Sequence, residues 1–303
     1  MADEISDLLR RSTGAARIVL GGRFGEEGPS ESFRRIDEFV SAGGRFVDTA
    51  HSYAAGAAEE VLGAWLRSNP GSITVLDKIG HPSADGVLDL SPESLDRQVK
   101  ESRQRLGVAT VDAILLHRDD PAVPVAELTD VLTQFVREGA ARSVGVSNWR
   151  AERLASALEL FADSGITPLL SYQFSLAVPA REIWPGALHA DEQIMAAKAR
   201  HGLPLLAWAA HARGFLADRT EAVGQDGDPF DTPANRAARS RCAQIAAALG
   251  APLEAVALAW TLSHPGVFPI IGPRSTAELR SSLAAVWLPL DEPTVDGLSR
   301  FRR

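Results

Sequence analysis

The sequence is poor in several features, and each scarcity excludes a class of protein. Its 303 residues include one cysteine, Cys242, which excludes an internal disulfide and fits a reducing compartment. No run approaches the ~18 apolar residues of a membrane span, and the N-terminal segment MADEISDLLRR lacks the apolar core of a signal peptide. The formal net charge of -8 argues against a nucleic-acid partner, which needs a basic face. These absences predict a cytoplasmic protein whose partners include neither membrane nor nucleic acid.

Two residue types are rare enough that their positions carry information. Tyrosine occurs only at Tyr53 and Tyr172. Lysine occurs at Lys78, Lys100 and Lys198, against 28 arginines. The histidines show no spacing typical of a metal site, such as H-x-x-x-H, so no metal is predicted.

Short apolar runs alternate with helical patterns along the whole chain. The apolar runs predict strands at 16–22, 45–50, 72–80, 111–117, 142–148, 168–174, 204–210 and 268–272. The helical patterns lie near 31–42, 56–68, 92–106, 125–138, 150–163, 190–201, 235–263 (broken at Gly250 and Pro252) and 276–285. Eight strand–helix alternations favour an α/β fold of the (β/α)₈ TIM-barrel class, formed as a single domain over 1–303.

Two long irregular segments, 175–189 and 217–234, are expected to be loops on the working face of this barrel. A doubly wound sheet with a second domain is the alternative fold. Against it, no G-x-G-x-x-G motif follows the first predicted strand, and no linker rich in proline, glycine and serine divides the chain.

Polar residues interrupt the apolar runs where predicted strands two, three and four end. Asp48, Lys78 and His117 stand at these three ends, and Tyr53 follows Asp48 by five positions. Because functional residues of a barrel gather where strands end, the four side chains are expected to meet on one rim. Lys78 would lower the pKa of Tyr53, and Asp48 would keep Lys78 charged. His117 would orient a substrate carbonyl, and the hydride that this chemistry needs predicts a nicotinamide cofactor.

Seven segments match a known family in sequence and in order. They are FVDTAHSY, LDKIG, VDAILLHRDD, ARSVGVSN, SYQFSL, ARGFL and IIGPRSTAELR. Through them the chain resembles the aldo-keto reductase superfamily from the first predicted strand to the last barrel helix. The resemblance implies a catalytic tetrad of Asp48, Tyr53, Lys78 and His117 in a barrel that binds NADPH without a Rossmann motif. It implies an enzyme that reduces the carbonyl group of a small molecule to an alcohol.

The resemblance also implies which residues hold the cofactor. Ser147, Asn148 and Gln173 would hydrogen-bond the nicotinamide carboxamide. Trp208 would stack on the nicotinamide ring, where the family usually has a tyrosine. The stretch after it departs from the family's Ser-Pro-Leu pattern and ends at Gly214, a further candidate contact.

At the other end of the chain, Arg274, Ser275 and Arg280 surround the start of the last barrel helix. Helix N-termini and arginine forks bind phosphate. In the family such residues hold the 2′-phosphate and adenine, which favours NADPH over NADH. Ser275 and Glu278 also have the spacing of a helix capping box, and Ser147–Asn148 the position of a cap.

By analogy with relatives, five residues are expected to form the walls of the substrate pocket: Phe24, Arg118, Trp149, Trp184 and His211. Polar groups beside two tryptophans favour an oxygen-rich carbonyl compound, such as a sugar-derived aldehyde or a keto sugar. Two other functions stay open at this point. One is a non-catalytic NADP(H)-binding regulatory subunit, and the other is an aldolase in which Lys78 forms a Schiff base.

Overall fold

Eight parallel strands close into a barrel in the computed structural model, which describes residues 4–22, 24–217, 227–288 and 290–302. The strands follow one another around the barrel in chain order, and β1 pairs with both β2 and β8. They are β1 (Val19–Gly21), β2 (Phe46–Asp48), β3 (Thr74–Ile79), β4 (Val111–Leu116), β5 (Ala141–Ser147), β6 (Leu169–Gln173), β7 (Leu205–Trp208) and β8 (Val267–Ile271). The predicted (β/α)₈ barrel is therefore confirmed.

Helices connect the strands and cover the outside of the barrel. In the described ranges they are α1 (Glu4–Arg10), α2 (Pro29–Ser41), α3 (Ala57–Ser68), α4 (Pro92–Leu106), α5 (Val125–Arg137), α6 (Ala151–Asp163), α7 (Glu192–His201), α8 (Pro233–Leu249), α9 (Leu253–Leu262), α10 (Thr276–Leu283) and α11 (Glu292–Ser299). Side chains such as Ser91, Asp191 and Ser275 accept a hydrogen bond from the backbone N–H three residues later, which starts α4, α7 and α10.

The predicted elements agree with the observed ones except near the chain ends. The break expected at Gly250 and Pro252 separates α8 from α9, because Gly250 ends α8 with φ +63° and Pro252 precedes α9. A 3₁₀ helix over Gly14–Arg17 replaces the start of the first predicted strand. Helices α1 and α11 were not predicted. Of the predicted loop 217–234, residues 218–226 lie outside the described residues, and its end belongs to α8.

Helix α1 closes the amino-terminal end of the barrel. Its apolar residues Ile5 and Leu9 are buried in the same cluster as inward-facing strand residues such as Phe46, Leu76 and Leu115. The barrel interior is thus a packed apolar column sealed at one end, as expected for a barrel of eight strands. Polar chemistry is left to the opposite, carboxyl end.

The C-terminal turn fastens the long segment between β6 and α7. Arg302 Nε donates a hydrogen bond to the carbonyl oxygen of Ser175 (2.9 Å), and Nη2 donates one to that of Ala190 (3.2 Å). The guanidinium also lies 4.1 Å from the ring centre of Phe174. Burial lowers the pKa of Arg302 to about 10, so it remains charged at neutral pH. This arginine therefore ties the two ends of the segment to the body of the protein.

No single helix among the described residues is long and apolar enough to cross a membrane. Helices α8 and α9 together meet that criterion by length and composition, but the chain bends by 104° between them.

Candidate active site

The inward-facing positions of the strands change from apolar to polar at the carboxyl end of the barrel. Inward-facing residues of a strand are two positions apart, so Lys78 follows the interior residue Leu76 on the same face of β3. The same spacing places Asp48 at the end of β2 and His117 just beyond β4. All three line one cavity together with Tyr53. The structure thus brings the four predicted catalytic residues together.

Asp48 and Lys78 form a buried ion pair at the centre of this group. Lys78 Nζ donates a hydrogen bond to Asp48 Oδ1, and the two side chains are 3% and 4% exposed. Burial alone would lower the pKa of Lys78, but the carboxylate of Asp48 outweighs it and raises that pKa above its ordinary value. The ammonium therefore stays charged in the barrel mouth. Removing either partner would leave an uncompensated buried charge.

Tyr53 lies on a short turn after β2, and this turn packs closely against the loop that follows β1. It begins a 3₁₀ turn in which Ala54 and Ala55 have positive φ angles of 50° and 53°, a region that costs non-glycine residues about 1 kcal/mol or more. A Cβ atom on Gly22 would lie 2.9 Å from the Tyr53 ring, so glycine is needed there. The Tyr53 ring centre lies 5.7 Å from Lys78 Nζ.

The protonation states of Tyr53 and His117 follow from their surroundings. Burial raises the pKa of Tyr53, and the charge of Lys78 opposes this rise, as expected of an ammonium, without reversing it. The lowering effect of Lys78 that the sequence predicts is present, but burial is the larger effect and the net shift of the Tyr53 pKa is upward. Burial lowers the pKa of His117 well below its ordinary value, and the charges of Lys78 and Arg118 lower it further. At neutral pH Tyr53 is a phenol and His117 a neutral imidazole.

The imidazole of His117 is available to a ligand. Its ring meets that of Tyr53 edge to face, with 5.7 Å between the ring centres. Its Nδ1 is buried and has no hydrogen-bond partner among the described residues. A buried polar atom without a partner is uncommon, and a bound ligand is one of the ways in which it is satisfied.

The cavity that contains these groups has a volume of about 890 Å³. This lies in the upper part of the range for small-molecule sites. Apolar walls come from Phe24, Trp184 and Trp208, which all line it. The predicted wall residues Arg118 and His211 line it as well.

Trp149 does not line this cavity, contrary to the prediction. Its side chain is fully buried, and its ring packs beneath Arg153, whose guanidinium carbon lies 5.4 Å from the ring centre. The physical reason is the preceding residue: Asn148 has φ +65°, and this left-handed turn directs the chain toward α6. The carbonyl oxygen of Trp149 accepts a hydrogen bond from the Tyr172 hydroxyl. Trp149 is thus a core residue.

Ser147 and Asn148 line the cavity but hydrogen-bond to the protein itself. Asn148 Nδ2 donates to the carbonyl oxygen of His117 (3.1 Å) and to Ser147 Oγ (2.8 Å), and its Oδ1 accepts from Leu188 N (3.0 Å). Ser147 Oγ donates to the carbonyl oxygen of Ser171 (2.8 Å). These bonds join the ends of β4, β5 and β6 to the segment before α7. The contact of Ser147 and Asn148 with the carboxamide of the nicotinamide stays a prediction.

The other predicted cofactor residues divide into two groups. Trp208, Gly214 and Arg274 line the cavity. The described lining residues do not include the remaining three, Gln173, Ser275 and Arg280.

Each residue of the second group has a partner in the protein. Gln173 Nε2 donates to Ser175 Oγ (2.9 Å), while its Oε1 is buried without a partner among the described residues. Ser275 Oγ caps α10, as the capping-box spacing predicts. Arg280 forms an ion pair with Glu38 on α2. Glu38 occupies the Nε and Nη2 donors of Arg280, so fewer donors are left for a cofactor.

Sequence reasoning missed His81 and Arg213, which also line the cavity. The ring of His81 lies 4.8 Å from that of His117, and the guanidinium of Arg213 lies 5.4 Å from the ring centre of Trp184. The signal for His81 was present in the sequence, because it follows the third strand as His117 follows the fourth. Arg213 lies in the stretch that departs from the family pattern, so the family pattern gave no indication of it.

Comparisons with known proteins identify the family. Residues 17–302 match the model of the aldo/keto reductase family. Norsolorinic acid reductase B of Aspergillus parasiticus is 27% identical over 299 residues, covering 92% of this chain and 76% of that protein. A putative aryl-alcohol dehydrogenase of Schizosaccharomyces pombe is also 27% identical, covering 89% of this chain and 84% of its own length. An aldo-keto reductase of Klebsiella pneumoniae, crystallised with NADPH, superposes with a TM-score of 0.73 at 24% identity, covering 94% of this chain and 90% of that one.

The match to the family model extends over almost the whole barrel, from just before β1 to the C-terminal turn. It covers all four residues that meet at the barrel mouth. The chain therefore belongs to the aldo/keto reductase family, and is an oxidoreductase, as its sequence predicted.

Proposed function

We propose that this protein reduces an aldehyde or ketone to an alcohol with NADPH, and that Tyr53 donates the proton. The observation that carries the proposal is the grouping of Tyr53 with the buried Asp48–Lys78 pair and the neutral His117 in one cavity. A phenol beside an ammonium is suited to giving up a proton, because the ammonium stabilises the phenolate that forms.

The cavity fits a nicotinamide dinucleotide on its β7–β8 side. Trp208 offers a half-buried flat ring, and a Cβ atom on Gly272 would meet no atom within 4 Å, so the backbone there is open to a ligand. Arg274 is exposed at the same cavity and offers donors to a phosphate. We propose that Trp208, Gly214 and Arg274 hold the cofactor. NADPH supplies the hydride when it is bound.

The chain's own residues then control the proton and the carbonyl oxygen. Tyr53 keeps its proton at neutral pH because burial raises its pKa. The hydroxyl gives that proton to the carbonyl oxygen, and the Lys78 ammonium stabilises the phenolate left behind. The neutral His117 donates a hydrogen bond to the same oxygen and so fixes the orientation of the carbonyl. Asp48 keeps Lys78 in place and charged.

The alternative of a Schiff-base aldolase is disfavoured by the state of Lys78. A lysine nucleophile must be neutral, and known examples have a lowered pKa. Here the carboxylate of Asp48 raises the pKa of Lys78 and occupies its ammonium. A regulatory, non-catalytic role would not require a neutral His117 whose ring meets that of Tyr53 and whose Nδ1 is buried without a partner among the described residues. Both observations favour the reductase.

The substrate that suits the cavity is a polar carbonyl compound. Trp184 and Trp208 face each other at 5.8 Å between ring centres and form an apolar wall. The polar side chains of Arg118 and His81 contact His117 and line the same cavity. We propose an oxygen-bearing aldehyde or ketone, such as a sugar-derived carbonyl, as the class to be screened.

Tyr53→Phe tests the proposal, and Tyr172→Phe is its matched control. Both variants remove one phenolic hydroxyl, but that of Tyr172 is fully buried on the Trp149 carbonyl oxygen. Turnover of an accepted aldehyde, followed by NADPH oxidation, should fall about 10²- to 10⁴-fold in Tyr53→Phe and stay near wild type in Tyr172→Phe. NADPH affinity, followed by fluorescence, should be unchanged in both. Normal turnover by Tyr53→Phe would show that another group donates the proton.

The pH profile adds a second check. In the reductive direction the wild-type kcat/KM should be flat from about pH 6.5 to pH 10, because His117 stays neutral and Tyr53 stays protonated over that range. The value of kcat/KM should decline only above this range, where Tyr53 loses its proton.

A further inference from the structure

Arg118 is a buried cation that the proposed chemistry does not use. It follows His117 directly after β4 and is 8% exposed. One Nη donates to the carbonyl oxygen of His117 (3.1 Å), and Nε is buried with no partner among the described residues. The Cβ position of Gly186, in the segment before α7, lies 3.6 Å from Arg118 Cδ, so this segment covers the arginine stem. The guanidinium lines the cavity.

The electrostatic surroundings of Arg118 differ from those of Arg35, which is buried, and Arg153, which is half-buried. Arg35 pairs with Glu27, and Arg153 pairs with Asp119. Among the described residues, none places a carboxylate within ion-pair distance of Arg118. Glu182 attracts it from farther away, but a Glu182 carboxylate oxygen accepts a hydrogen bond from Gly186 N.

Lys198, which is buried, and Arg302, which is half-buried, also lack a carboxylate partner among the described residues, yet both are satisfied in another way. Lys198 donates to the Pro265 carbonyl oxygen, and Arg302 donates to two carbonyl oxygens and lies on an aromatic ring. Neither is among the described residues that line the cavity. Arg118 is different because it lines the cavity and its Nε has no partner among the described residues. A desolvated charge of this kind is costly unless an anion pairs with it.

The position of Arg118 separates it from the cofactor. In a barrel of eight strands in chain order, β4 lies across from β8, and the proposed cofactor residues follow β7 and β8. Arg118 instead adjoins Tyr53 and His117, where the carbonyl is reduced. Arg118, His117 and Tyr53 all line this cavity. An anion bound by Arg118 would therefore belong to the substrate.

The charge of this part of the cavity favours a singly charged anion. Lys78 is neutralised by Asp48, and burial lowers the pKa of His81, which is therefore neutral at pH 7. His81 also hydrogen-bonds through Nδ1 to the Pro82 carbonyl oxygen (2.9 Å). Arg118 therefore keeps a positive charge that no carboxylate of the described residues pairs with at ion-pair distance. The planar fork of a guanidinium matches the two oxygens of a carboxylate.

We propose that Arg118 binds a carboxylate carried by the substrate, so that the preferred substrates are small oxo acids or aldehyde acids. This inference rests on the proposed reductase function and narrows its substrate class. The carboxylate pairs with the guanidinium, while the carbonyl of the same molecule meets Tyr53 and His117. Trp184 covers the carbon skeleton between them.

The test compares acids with their neutral esters in the full-length protein with NADPH. Suitable pairs are 4-carboxybenzaldehyde and 2-carboxybenzaldehyde, each against its methyl ester. The wild type should prefer at least one acid over its ester in kcat/KM. Arg118→Met should lower kcat/KM for that acid about tenfold to a hundredfold and leave its ester within about twofold, because a charge-assisted hydrogen bond is lost only for the acid. The kcat/KM of Arg118→Lys for the acid should lie between the values for the wild type and Arg118→Met.

Arg137→Met is the control, because Arg137 is an exposed arginine at the end of α5, remote from the cavity. It should behave as wild type with every substrate. A second readout does not depend on turnover: calorimetric titration with benzoate and benzamide should show benzoate binding weakened by Arg118→Met and benzamide binding unaffected.

The outcomes separate this inference from the proposed function. If no aldehyde, acid or neutral, is reduced by the wild type, the proposed function fails. If the wild type reduces the neutral esters with the same kcat/KM as the acids, and Arg118→Met changes neither value, the proposed reductase function stands and the carboxylate site is refuted. If Arg118→Met loses ester turnover and acid turnover equally, the arginine supports the fold of the site and does not recognise the substrate, which also overturns the inference.

Discussion

The two sides of the barrel mouth are built on opposite principles. At the ends of β2 and β3, the charged side chains of Asp48 and Lys78 are buried and satisfy one another before any ligand arrives. At the ends of β7 and β8, the cavity presents a half-buried ring, Trp208, open backbone at Gly272 and an exposed arginine, Arg274. Acid–base chemistry requires fixed protonation states, which demand burial and paired charges. Holding a large ligand requires free donors and open surface instead.

The largest expected effect, on both stability and turnover, comes from removing one member of the Asp48–Lys78 ion pair. Lys78→Met leaves the Asp48 carboxylate buried without a counter-ion, so the free energy of unfolding should fall by about 3–5 kcal/mol in urea denaturation. Turnover should also be lost, because the Tyr53 phenolate loses its stabilising charge. The double variant Asp48→Asn with Lys78→Met should recover much of the stability and none of the activity.

Lys100→Met is the control for that change. Lys100 pairs with Asp96 on the exposed surface of α4, and its side chain is 68% exposed. Its removal should change the free energy of unfolding by less than about 1 kcal/mol. Equal stability losses for the two lysines would contradict the distinction between a buried and an exposed pair.

A smaller effect is expected from the anchor of the β6–α7 segment, which covers the open side of the cavity. Arg302→Ala removes two hydrogen bonds to carbonyl oxygens and the contact with Phe174, and should lower the free energy of unfolding by about 1–3 kcal/mol. Amide hydrogen exchange in residues 174–190 should quicken. Arg300→Ala, two residues away on the exposed surface, should leave both measurements unchanged. Unchanged exchange in Arg302→Ala would show that the segment is held by other contacts.

The smallest effect should distinguish two arginines near the cofactor side. Arg274 lines the cavity, whereas Arg280 pairs with Glu38. Arg274→Ala should weaken NADPH binding about tenfold in a fluorescence titration, and Arg280→Ala only about twofold. NADH, which has no 2′-phosphate, should bind with similar affinity to both variants and the wild type. The reverse order of effects would mean that the Glu38 pair opens to receive the cofactor.

Much of the fold was predictable because the barrel repeats one local pattern eight times. Each strand is a short apolar run. A polar residue near its end, such as Asp48 or Lys78, indicates the carboxyl end of the barrel. The parity of inward-facing positions then brings these residues together without further information. The grouping of Asp48, Lys78 and His117 was therefore accessible from the sequence, whereas His81 lies off this parity and only its position just after β3 could have indicated it.

Features that depend on three-dimensional packing were not predictable. Trp149 was assigned to the pocket from its place after β5, but the left-handed conformation of Asn148 sends it into the core. Helix α1 has few apolar residues, and only its position under the barrel buries Ile5 and Leu9. The pKa of Tyr53 depends on how far burial outweighs the charge of Lys78, and that balance of opposing effects is set by packing.

The plug that α1 forms beneath the barrel has a consequence for the chemistry at the other end. Because Ile5 and Leu9 keep water out of the apolar column below Lys78, the ion pair above it is shielded from hydration from underneath. Attraction between charges grows as the surrounding dielectric constant falls. A helix at the opposite end of the barrel thereby strengthens the attraction between Asp48 and Lys78, the pair beside the proposed proton donor Tyr53.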